Sequence, residues 1–216
     1  MTRQAIIFDF DGLILDTESP QAEVWLELFT RAGAKFDLEV YNSIVGGFNS
    51  DIYRPEVELA KLLNDGRSPE ELLLHVQEAQ LERILANPIN PGVVEVLDEA
   101  RQRGILTAVG SSSPCDWVKG HLERLSLFER FETVVTYDDV NEPKPSPEIF
   151  ELVLKRLDVK PDDALVLEDS ANGVLAASRA NIRVVAVPNS VTEVMDFSLA
   201  NEVLGSLLEL DLNKYF

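Results

Sequence analysis

The chain has 216 residues, enough to bury a sizeable core as one large domain or as one domain carrying a smaller insert. Hydrophobic residues make up 45% and the formal net charge is −19, which disfavours nonspecific nucleic-acid binding and binding to anionic membranes, since both need a basic surface. The single cysteine, Cys115, excludes an intrachain disulfide and fits a reducing cytosol. A strand is expected within about four residues of the N-terminus, leaving no room for a signal peptide. No apolar run approaches the roughly 18 residues that span a bilayer, so a cytoplasmic protein is expected.

Ala5-Ile6-Ile7-Phe8 is an unbroken apolar run and reads as a strand buried on both faces, as in parallel sheets. It runs into Asp9-Phe10-Asp11-Gly12. Residues two apart on a strand share a face, so both carboxylates can point to one place, and Gly12 permits a sharp turn. Alone, this stretch reads equally as a capped turn or as a site.

Thr17 or Ser19 is expected to N-cap a helix whose first residue is Pro20, and Val24, Trp25, Leu28 and Phe29 recur at helical spacing up to Gly33. Trp25 reads as packing. Further helices are expected over Ile52–Leu63 and Ser68–Leu85, the latter opened by the capping box Ser68-Pro69-Glu70-Glu71. Gly46-Gly47 interrupts them and reads as a turn or a substrate-covering loop. His75 and His121 read as surface residues. Asn87–Gly92 is dense in helix breakers and reads as a linker or hinge.

Beyond it, strands and helices alternate. Strands are expected at 105–109, 133–136, 164–167 and 183–187, and helices at 93–103, 116–125, 148–157 and 171–180. The tail from Ser190 to Phe216 is expected to be helical. Such alternation implies an α/β protein with a doubly wound parallel sheet. Residues 1–15 with 91–216 would form the core, interrupted by an all-helical insert at 16–90.

The expected strands all hand over polar residues at their carboxyl ends. Asp9 and Asp11 follow the first, Ser111 the second, Lys144 the loop beyond the third, and Glu168-Asp169 the fourth. Open parallel sheets bind ligands at those ends. Grouped carboxylates repel unless a divalent cation joins them, and oxygen-only ligands select Mg2+. The chemistry that needs this set is phosphoryl transfer: Asp9 as nucleophile, Asp11 as acid and then base, Ser111 and Lys144 on the phosphate, and Asp9, Asp169 and Glu168 on the metal. Ser112 is a further candidate for the phosphate, and Ser113 reads as an exposed helix-start residue. Cys115 reads as a bystander, Asp138 and Asp139 as solvated turn acids, and Asn172 with Gly173 as helix packing.

These residues, in this order, resemble the four motifs of the haloacid dehalogenase superfamily. The insert after Leu13–Thr17 resembles the helical cap of its beta-phosphoglucomutase-like and phosphoglycolate-phosphatase-like branch. The resemblance implies a Rossmann-like core, a mobile cap hinged near Leu15–Thr17 and Pro88–Gly92, and metal contact through the backbone carbonyl of Asp11. The second aspartate, absent from dehalogenating members, argues against dehalogenation. Beta-phosphoglucomutases carry a histidine where Gln21 stands and a cap-loop arginine where Asn49 stands, after Gly47. These three positions are the candidate substrate contacts of the cap. The expectation is a phosphatase of small phosphorylated metabolites, a monomer or weak dimer with no nucleic-acid or membrane partner. The alternative is a phosphosugar mutase, and a remoter one a non-enzymatic phospho-acceptor or binding protein. Receiver domains use similar groups, but they are far shorter and lack a helical insert.

Overall fold

The computed structural model describes residues 3–38, 40, 41 and 53–216. Its centre is a parallel sheet of six strands in the order β3-β2-β1-β4-β5-β6. The strands are β1 Ala5–Phe8, β2 Leu106–Gly110, β3 Thr133–Val135, β4 Ala164–Glu168, β5 Arg183–Ala186 and β6 Glu202–Val203. β1 lies in the middle, with Phe8 paired to Val109 on one side and to Leu167 on the other. Every residue of β1 is buried, as its apolar run requires. Ala5 and Ile7 face a core completed by Ile149, Phe150 and Val153 from α6 (Glu148–Leu157) and Val174 and Ala177 from α7 (Ala171–Arg179). The fold class expected from strand–helix alternation is the one observed.

The chain divides into two compact units. One comprises Met1–Leu15, Pro88–Asn189 and Met195–Phe216, and the other Asp16–Asn87 with Ser190–Val194. The core therefore takes in Pro88–Asn90, which the sequence left with the insert. The reason is local: the Asn90 side chain donates to the carbonyls of Gly12 and Leu13, and Leu15 bridges Ile89.

In the second unit, helices Ser19–Arg31, Pro55–Leu63 and Pro69–Ala86 are described. Trp25, Phe29, Leu59, Leu72 and Val76 form their apolar core, with Val191 added. The capping box is present as expected: Ser68 Oγ accepts from the Glu71 N–H while the Glu71 carboxylate accepts from the Ser68 N–H. The first helix starts differently from expectation. Neither Thr17 nor Ser19 caps it; Asp16 Oδ1 accepts from the Ser19 N–H at 3.0 Å, and Pro20 is its second residue.

The core's remaining helices are α4 Val93–Arg103, ended by Gly104, and α5 Cys115–Arg124. The tail is not helical beyond short turns. It forms β6 and two single 3-10 turns at Leu207–Glu209 and Leu212–Lys214. Asp196, Ser206 and Asp211 each accept from the backbone N–H two residues on, and this local alternative competes with a continuous helix. No helix among the described residues is long and apolar enough to cross a membrane. Ile7→Ala, at the fully buried centre of the sheet, is expected to cost about 2–5 kcal/mol of core stability, measured by urea unfolding.

Candidate active site

Between β1 and β4 the strand order reverses, since β2 and β3 continue one way and β5 the other. This is the crevice where open α/β sheets take their ligands. Asp9 leaves β1 there, its N–H bonded to the Leu167 carbonyl at 2.9 Å, and Glu168 ends β4 beside it. Lys144 arrives from the loop between β3 and α6. Its ammonium donates to Asp9 Oδ1 and, at 2.7 Å, to Glu168 Oε1. All three side chains are buried.

Glu168 is the most constrained of the three. Its second oxygen accepts from the N–H groups of Asp169 and Ser170 and from Ser170 Oγ, each at 3.0 Å. A Cβ on Gly173 would overlap its carboxylate, so this glycine is where the first turn of α7 makes room for it. Asp169 is buried alongside, its Oδ2 accepting from Asn189 Nδ2 at 2.7 Å. Gly12 stands at φ +79° with Asp169 Oδ2 where a Cβ would lie. The turn after Asp11 thus needs glycine twice, for its backbone conformation and for the close approach.

Asp9, Glu168 and Asp169 present carboxylate oxygens within 4.8 Å of one another. Against these three carboxylates stands the one ammonium of Lys144, so two negative charges are left over among these four side chains. Burial, then the Glu168 carboxylate, pushes the Asp9 carboxyl well above the usual range, although Lys144 pulls it down. Burial disfavours the charged form of Lys144, but the adjoining Asp9 and Glu168 carboxylates outweigh it and raise its pKa, so it stays an ammonium. The donor set is all oxygen and carries the charge a divalent cation neutralises, so the residues fit one. The side chain of Asp11 is not in this group.

The Asp11 carboxylate is engaged elsewhere. Oδ2 accepts from Ser113 Oγ at 2.6 Å and, less closely, from Ser111 Oγ at 3.4 Å, and Oδ1 accepts from the Trp117 indole at 2.9 Å. Ser113 is thus not merely an exposed helix-start residue. Ser111 is buried and its Oγ accepts from the Ser113 N–H at 3.0 Å, while Ser112 Oγ accepts from the Lys144 N–H at 3.2 Å. Ser112 therefore ties down the lysine loop. His121, expected at the surface, is buried against Trp117 and Phe10. Burial, then the Arg124 guanidinium, holds its imidazole below the usual range.

Asp138 accepts from the Cys115 N–H, and Asp139 pairs with Arg156, so both acids have structural partners. Gln21 is half-buried on the first helix of the second unit. Gly47 and Asn49 lie outside the described residues. Trp117 and Asn189 were missed. Trp117 and His121 are spaced by four and share a face of α5, with Ser113 four residues before Trp117 and just ahead of the helix, and Asn189 follows the fifth strand as the other polar residues follow theirs; both signals are in the sequence.

Two outcomes are expected. Gly12→Ala is expected to displace Asp169 and to weaken divalent-cation binding about 10–100-fold by calorimetry, with far-UV dichroism unchanged. The raised Asp9 pKa makes the metal-free protein bind an extra proton, so that stability is present at low pH and lost as pH rises from the unfolded value through the native one. A cation must displace that proton. The increase in melting temperature on replacing EDTA by a divalent cation should therefore grow as pH rises above the ordinary carboxylate range, and an increase independent of pH would contradict this charge balance.

Comparison with known proteins gives the chain its family. The family model "Haloacid dehalogenase-like hydrolase" matches residues 6–187. The chain is 41% identical to the "Putative phosphatase YhcW" of Bacillus subtilis, covering 97% of this chain and 94% of that one. It is 34% identical to a phosphorylated carbohydrates phosphatase of Thermotoga maritima, covering 88% of each. The crystal structure of CbbY from Rhodobacter sphaeroides in complex with phosphate superposes with a TM-score of 0.69 at 29% identity, covering 97% of this chain and 96% of that one. The chain belongs to the haloacid dehalogenase-like hydrolase family.

Proposed function

We propose that the chain is a Mg2+-dependent phosphatase of small phosphorylated metabolites, of sugar-phosphate or phosphoglycolate type, acting through an aspartyl-phosphate on Asp9. The observation that carries this reading is the buried Lys144 ammonium held between Asp9 and Glu168 at the crevice where the strand order reverses. Lys144 fixes the Asp9 carboxylate and supplies a permanent positive charge to an incoming phosphate. Asp9 then attacks phosphorus, and Asp11 gives a proton to the leaving ester oxygen. In the second step Asp11 takes a proton from water, whose oxygen displaces Asp9 from phosphorus. Ser111 donates a hydrogen bond to the phosphoryl oxygens.

Asp9, Asp169, Glu168 and the carbonyl of Asp11 would hold a divalent cation, which would neutralise the phosphate charge that a chain of net charge −19 otherwise repels. Hydrolysis is favoured over a mutase because Gln21 and Asn49 stand where the resemblance places the histidine and arginine of beta-phosphoglucomutases. Relatives named for phosphorylated carbohydrates and for validoxylamine A 7'-phosphate support a small polyhydroxylated ester as the substrate class.

The test is phosphate release from a panel of esters in Mg2+. Wild type should release it from at least one sugar phosphate, and Asp9→Asn should lose turnover by a factor of about 10³ or more while its far-UV dichroism shows the fold intact. Conversion of beta-glucose 1-phosphate to glucose 6-phosphate without net release would favour the mutase. An Asp9→Asn variant with retained activity would remove Asp9 as nucleophile.

A further inference from the structure

The two oxygens of the Asp11 carboxylate have separate donors. Trp117 Nε1 donates to Oδ1 at 2.9 Å, and Ser113 Oγ donates to Oδ2 at 2.6 Å. A short side chain gripped at both oxygens has its two torsions fixed, and bonds to a charged acceptor are the strong ones. The donors come from one rigid source, with Ser113 just before α5 and Trp117 on its first turn. The indole is itself held: buried His121, one turn on, packs edge-to-face against it with 4.3 Å between ring centroids. His121 Nδ1 in turn accepts from Arg124 Nε at 3.4 Å. Trp117 therefore cannot swing away without opening this stack.

We infer that Trp117, together with Ser113, is a positioning residue for the acid–base carboxylate of Asp11. A free aspartate samples several staggered rotamers, and only one points a given oxygen at the ester bond. The clamp selects one in advance, and pre-set orientation lowers a barrier without new contacts to substrate. The inference rests on the phosphatase reading. In its first step the Asp11 carboxyl proton passes to the ester oxygen as the P–O bond breaks and an Asp9 oxygen bonds to phosphorus. In its second, the oxygen of water bonds to phosphorus, the Asp9–phosphorus bond breaks, and the proton of water returns to Asp11.

The test uses the leaving group. An alkoxide needs that proton, whereas p-nitrophenolate leaves without it, and kcat/KM reports only the steps up to transfer onto Asp9. Trp117→Phe keeps a ring against His121 but removes the N–H. On the alkyl ester that wild type turns over fastest, its kcat/KM should fall roughly tenfold or more, mostly in kcat, and on p-nitrophenyl phosphate by less than about threefold. Ser113→Ala should show the same selectivity, and it carries the test if Trp117→Phe does not fold. Equal losses on both esters, or no loss on either, would overturn the positioning role. A wild type that hydrolyses neither ester would instead overturn the phosphatase reading beneath it.

Discussion

A buried lysine ammonium shared by two buried carboxylates is what the rest of this site is built on. Lys144 cannot be buried alone, and neither can Asp9 or Glu168, because an unpaired charge in that setting costs several kcal/mol. Each charge makes the others tolerable, and the surplus negative charge invites a divalent cation. The surrounding structure serves to keep that group fixed. Glu168 is held by Ser170 and by the N–H groups at the start of α7, the Lys144 loop is tied by Ser112, and Gly173 and Gly12 leave the space the carboxylates need. The sheet places Asp9 and Glu168 side by side because β1 and β4 are neighbours in register, Phe8 against Leu167.

The second acid is treated differently. Asp11 is two residues from Asp9, yet its side chain belongs to another network, made by Ser113 and Trp117 on α5. Two carboxylates close in sequence thereby sit in separate environments. On the proposed reading the one against the ammonium attacks, and the other, held by neutral donors, passes the proton. A split of environments between paired acids is a general way for one site to run both chemistries.

Much of this was legible in the sequence, for reasons that can be named. β1 is an unbroken apolar run, and a run of that kind that stops at two acids and a glycine has few bland explanations. Alternation of strands and helices after Gly92 gave the parallel sheet, and the polar residues after each strand gave Asp9, Ser111, Lys144 and Glu168-Asp169 with their surroundings. What escaped was what periodicity does not encode. The tail looked apolar enough for a helix, but Asp196, Ser206 and Asp211 bond to their own backbone and break it into turns. Trp117 read as one more helix residue because an indole's hydrogen-bond partner is decided by tertiary packing. His121 read as surface because a lone histidine on a charged helix usually is; its burial follows from the Trp117 and Phe10 rings beside it.

On the proposed mechanism the Asp9 carboxylate, braced by Lys144, is the group that receives the phosphoryl group. The most direct measurement is to mix the protein with Mg2+ and a substrate ester, quench in acid within the first turnover, and locate the phosphoryl group by mass spectrometry of the peptide fragments. The expected result is a phosphoryl group on Asp9 that survives the brief acid quench and is labile to alkali and to hydroxylamine. A phosphoryl group on Ser111, Ser112 or Ser113, or turnover with no phosphorylated protein at any quench time, would contradict it.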